Sequence, residues 1–129
     1  MTNPAPDTVN ADLNESAQVT LDGSGNGTAR LTPRGGTRNS GYIWHPNTLF
    51  VSCSTNTLEA QAVAYVSYGI QSNAPTDAIG QTLSGSTGDT CGMTQNLRPG
   101  DWITVKWTGG DPGAIATMRV TGSVDIPTR

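Results

Sequence analysis

The stretch AQVTLDGSGNGTARL, residues 17–31, alternates apolar and polar side chains on both sides of a glycine-rich turn. Ala17, Val19 and Leu21 fall on one face, with Gln18, Thr20 and Asp22 on the other. Beyond the turn, Ala29 and Leu31 alternate with Thr28, Arg30 and Thr32. A period of two sends successive side chains to opposite faces of an extended chain, so both arms read as strands with one buried face. Gly23, Gly25 and Asn26 supply the turn, and the whole predicts a β-hairpin.

Working outward, residues 33–41 (PRGGTRNSG) form a loop. Tyr42 to Thr55 reads as a strand interrupted at Pro46, with Leu49, Val51 and Cys53 on one face, since proline marks a bend or a strand start. Residues 60–69 (AQAVAYVSYG) are apolar on both faces, Ala62, Ala64 and Val66 against Val63 and Tyr65. Such a strand is covered on both sides or lies at a subunit contact, and it is the candidate contact of a homo-oligomer. Residues 70–100 are mostly turn-forming, with one short strand at Ile79 to Leu83. Trp102 to Trp107 alternates again, and Ala116, Met118, Val120 and Val124 line one face of the last strand.

Residues 1–15 are polar and contain Pro4 and Pro6, which predicts an extended N-terminal arm. The expected layout is an arm over 1–15, a sandwich domain over 16–126 and a short tail over 127–129. Seven or eight short strands split by turns predict an all-β fold, a single two-sheet antiparallel β-sandwich of jelly-roll or immunoglobulin-like type.

Composition narrows the function. With Lys+Arg 7 against Asp+Glu 10, the net charge is -3, so no concentrated basic patch is available for phosphates and nucleic acid is not expected as a partner. No stretch approaches the ~20 apolar residues of a membrane span. The first residues lack the basic start and apolar core of a secretory signal, so synthesis in a cytoplasm without a signal peptide is expected, with the protein kept there or leaving the cell by another route.

The chemistry-bearing residues are sparse. Asp22, Ser24 and Asn26 match the first half of a calcium loop, but Arg30 and Pro33 stand where later ligands belong. His45 is the only histidine, with no obvious catalytic partner near it in sequence, and no Gly-x-Ser-x-Gly elbow or paired carboxylate stands out. No enzyme activity, cofactor or metal is therefore expected. Cys53 and Cys91 read as two reduced thiols or as one disulfide. Binding candidates are Pro4 and Pro6 in the arm, Arg34 and Arg38 flanking a Gly-Gly loop with forked donors suited to carboxylates, Tyr65 on the two-faced strand, and Trp102. Trp102 falls opposite Ile103, Val105 and Trp107, where an aromatic ring anchors a partner or stacks on a sugar.

The order VTLDGSGNGTAR (19–30), Trp44-His45-Pro46, LSGSTGD (83–89), WTGGDPGA (107–114) and MRVTG (118–122) resembles small β-sandwich virion proteins of tailed actinobacteriophages. The similarity spans roughly residues 16 to 126, and its turn-rich motifs carry no catalytic residues over. It implies a structural protein on the virion exterior that decorates or cements the capsid, with the major capsid protein as the favoured partner. The alternative it leaves open is a tail-associated or surface module that binds host glycan.

Overall fold

The computed structural model describes residues 8–34, 41–54, 60–69, 78–84 and 88–127. Strands β1 (Thr8–Thr20), β2 (Gly27–Leu31), β3 (Ile43–Cys53), β4 (Gln61–Ser67), β5 (Ala78–Ser84), β6 (Asp89–Gly92), β7 (Trp102–Thr108) and β8 (Ile115–Pro127) form two antiparallel sheets, with no helix among the described residues. The first sheet runs β1-β8-β3-β6 and the second β2-β7-β4-β5. First pairs with last, second with seventh, third with sixth and fourth with fifth. The chain is thus one long antiparallel hairpin rolled into two layers, which is the eight-stranded jelly roll.

The alternation predicted the buried faces. Leu49, Val51, Ile103, Val105, Trp107, Met118 and Val120 are fully buried between the sheets. Trp107 lies opposite Gly27 on one neighbouring strand and Ala62 on the other, and these small residues leave room for its indole. β4 is interior, between β7 and β5. Its Ala62, Ala64 and Val66 are buried, while Val63 and Tyr65 are half-buried on the outer face.

Three expectations change. The first is the hairpin over 17–31. Both arms are strands and the turn is real, but the arms lie in different sheets, β1 against β8 and β2 against β7. The turn crosses between layers. It is held by Asp22, whose Oδ1 accepts from the backbone N–H of Ser24 at 2.8 Å and Asn26 at 3.0 Å. It then docks on the 109–114 turn, where the Gly110 N–H donates to the Gly25 carbonyl at 3.0 Å. Gly25 has φ 77°, and a methyl group there would overlap the Gly110 carbonyl. Alternation reports which face is buried and says nothing of which strand lies alongside.

The second change concerns the arm. Residues 8–15 are extended, as expected, but they belong to β1 and pair with residues 120–127 of β8. Among the described residues the sheet takes in Thr8 at one end of the chain and, at the other, Pro127, a residue the expected layout put in the tail. Pro4 and Pro6 lie outside the described residues. The third is β6, within a region read as turns; its four residues pair with residues 48–51 of β3.

Pro46 is where β3 bends. The register with β8 shifts between Pro46 and Thr48, leaving Asn47 as the extra residue of a bulge. At the same end of the sandwich, buried Asp101 joins three connections. Its carboxylate accepts from the N–H of Gly69 at 2.8 Å and of Arg98 at 2.9 Å, and its carbonyl accepts from the Thr32 hydroxyl at 2.7 Å. That last bond fixes the segment leading to Arg34.

Candidate docking surface

β1 is an edge strand, and at 13 residues it is the longest of the four edges. The others are β2, β5 and β6, with 5, 7 and 4 residues. The Leu21 N–H donates to the Ala114 carbonyl, and the Ser54 N–H to the Ile115 carbonyl, so even residues of β8 face β1 and odd ones face β3. Backbone groups alternate sides along an antiparallel strand, and the β1–β8 register runs without a shift. Odd residues of β1 therefore bond to β8. Even residues, Asn10, Asp12, Asn14, Ser16 and Gln18, turn their N–H and C=O groups outward.

Natural edges are blunted by lysine, proline, bulges, brevity or inward-pointing charges. β1 has no lysine, proline or bulge, and its one inward-pointing charge, Glu15, is paired with Arg34. Its outward-facing row is polar, and its single outer-face charge, Asp12, carries no ion pair among the described residues.

Beneath residues 12–15 of this edge lies a groove of about 180 Å³. Leu13, Tyr42, Trp44, Val124 and Ile126 form its apolar lining. Arg34 closes one rim through an ion pair with Glu15 at 2.9 Å. The pair is exposed enough that it contributes only about 0.2–1 kcal/mol, so its role is to shape the rim. Val9, on the same inward-facing parity, is 55% exposed, so the apolar strip continues past the groove.

The outer face of this sheet carries a polar cluster that fastens β1. The Asn10 amide donates to Asp125 Oδ1 at 3.0 Å, and Asp125 Oδ2 meets His45 Nε2 at 2.9 Å. His45 Nδ1 meets Asn96 Oδ1 at 2.8 Å. His45 is thus a hydrogen-bonded histidine on the sheet surface, and the acid it meets lies 80 positions away on β8. Ser123 is also opposite His45 in register. Yet both ring nitrogens are committed to oxygen acceptors, an arrangement that suits the imidazolium and leaves no free nitrogen to draw a proton from a hydroxyl.

The Asn96 bond, then the Asp125 bond, raise the His45 pKa above its ordinary 6.5. The Asn10 bond, then the His45 bond, lower that of Asp125 below its ordinary 3.8. A raised histidine pKa stabilises the fold fully below 6.5, and that contribution is lost as pH rises through the folded value. A lowered carboxylate pKa stabilises fully above 3.8, and that contribution is lost as pH falls through the folded value. Both are present between those limits. We therefore expect the melting temperature to fall modestly from pH 5.5 to pH 8, with a loss below about 1 kcal/mol at this exposure. In His45→Gln the decline over that range should flatten; an unchanged slope would remove the cluster from the account.

The candidate residues named from the sequence do not converge. Arg34 is at the groove. Tyr65 and Trp102 are half-buried on the outer face of the other sheet, where the register places them diagonally across β4 and β7. Arg38, like Pro4 and Pro6, lies outside the described residues. Cys53 and Cys91 are free. Cys91 pairs in register with Leu49, four positions from Cys53 on β3, which puts the two about 13 Å apart along the strand and out of disulfide reach. Asp22, the calcium candidate, spends its carboxylate on the turn. No group of three His, Cys, Asp or Glu suited to a metal occurs among the described residues.

What sequence reasoning missed is the edge. Val9, Ala11 and Leu13 alternate with Asn10, Asp12 and Asn14, the same period-two signal read further along, but the prolines at 4 and 6 drew the whole segment into an arm. No protein-family model and no curated protein matches the chain.

Proposed function

We propose that this chain is a non-enzymatic structural protein of a phage virion exterior, seated on neighbouring virion subunits, with the major capsid protein as the favoured partner. The observation that carries the reading is the outer side of β1, which has no strand partner among the described residues. Outward N–H and C=O groups along a 13-residue strand form a template that another backbone can pair with, which favours a protein as partner. The jelly roll alone does not choose the role, because coat, lectin and cupin domains share it. The virion setting is supported by the resemblance of the turn motifs over residues 16–126. The glycan-binding alternative has less behind it, since Trp102 is half-buried where stacking on a sugar needs an open ring face.

Virions of the encoding phage, purified and quantified by mass spectrometry against the major capsid protein, test the reading. Near-stoichiometric amounts are expected. A few copies per particle would move the protein to the tail, and its absence from particles would end the proposal.

A further inference from the structure

We infer that the β1 edge and the groove beneath it are one site, which takes an extended segment of a different protein carrying a basic residue flanked by apolar ones. The inference rests on the docking reading above and names the chemistry of its partner.

An incoming strand bonded to Asn10, Asp12 and Asn14 extends the sheet. Its residue opposite Asp12 then projects on the outer face, beside a carboxylate with no ion pair among the described residues. A lysine or arginine there meets the opposite charge across the strands. The residues on either side of it project to the inner face, beside Ala11 and Leu13, and the one beside Leu13 meets the apolar groove. Apolar cavities of about 150 Å³ hold a benzene-sized group. A groove of about 180 Å³ therefore accommodates a branched aliphatic side chain. Backbone pairing supplies affinity, and the groove with Asp12 supplies the choice of sequence.

A second copy of this chain is the poorer occupant. β1 carries Asp12 and Glu15 and no basic residue, so pairing two copies of it adds like charge and brings no cation to Asp12. The apolar–basic–apolar triplets of this chain, Ala29-Arg30-Leu31, Val105-Lys106-Trp107 and Met118-Arg119-Val120, already lie within the two sheets.

The test uses the full chain and the synthetic peptide Thr-Val-Thr-Val-Lys-Val-Thr-Val-Thr, read by amide exchange along β1 and by titration. The peptide should slow exchange at Asn10, Asp12 and Asn14. Replacing its lysine by glutamate should weaken binding by up to about fivefold, the upper end for an exposed ion pair. Asp12→Lys, a surface change that leaves the core intact, should reverse that preference by a similar factor. Serine in place of the two valines flanking the lysine should weaken binding about tenfold or more through lost apolar burial. The inference is overturned if saturating peptide leaves β1 exchange unchanged, if Asp12→Lys leaves the preference as it was, or if the free protein dimerises through β1. The virion reading fails separately, by absence of the protein from purified particles while the peptide results hold.

Discussion

Trp107→Ala is expected to lower the unfolding free energy by about 3–5 kcal/mol, a large part of the roughly 5–15 kcal/mol that holds a domain of this size. Trp107 is completely buried on the central face of the second sheet. Its neighbours across the strands are Gly27 and Ala62, which are too small to close the space the indole leaves. The lost burial and the cavity therefore both count. Trp107→Phe separates these effects from polarity. The indole N–H is buried with no hydrogen-bond partner among the described residues, so phenylalanine loses volume but also removes an unsatisfied donor. Its loss should stay below about 2 kcal/mol. Urea unfolding of the three proteins gives both values. An alanine variant within about 1 kcal/mol of the parent would mean that the two sheets do not pack around this residue.

Gly122→Ala should also be strongly damaging, at about 2–4 kcal/mol. Gly122 lies on β8 opposite Pro46, at the bulge of β3, with φ 154°. A methyl group there would overlap the His45 carbonyl oxygen and sit 2.8 Å from Pro46 Cα and 2.9 Å from Asn47 N. These are backbone atoms, so no side-chain rotation relieves the overlap. Gly113 is the control. Its φ is 82°, but nothing stands within 4 Å of a Cβ there. Gly113→Ala should therefore show only the conformational penalty of about 1–2 kcal/mol. Denaturant midpoints measured side by side decide the matter. Equal losses would show that the bulge does not press on β8.

These two sites mark what the sequence displayed and what it withheld. The packing of Trp107 was legible because period two is a local property: Ile103, Val105 and Trp107 follow from spacing alone. The bend at Pro46 was legible because proline lacks the ladder N–H. Strand partners were not legible. The alternation of 17–21 and 28–32 is the same whether the arms pair with each other or with β8 and β7. The docking edge was half legible, since Val9, Ala11 and Leu13 carry the pattern, but its openness depends on β8 lying on one side only. Arg34 was singled out for its forked donors, and it does meet a carboxylate, but that carboxylate is Glu15 of the same chain. His45 looked solitary because Asp125 approaches it only after the chain has folded back from its far end. Tyr65 and Trp102 were readable as outward-facing, but that they face out from the second sheet while Arg34 meets Glu15 of the first is a matter of topology.

Amide hydrogen exchange along β1 in the free protein tests most directly the claim on which the rest depends, a strand paired on one side and, among the described residues, unpaired on the other. Slow exchange at Val9, Ala11, Leu13, Ala17 and Val19, alternating with fast exchange at Asn10, Asp12, Asn14, Ser16 and Gln18, is the predicted result. Uniformly fast exchange over residues 9–15, or protection of the even-numbered amides before any partner is added, would contradict it.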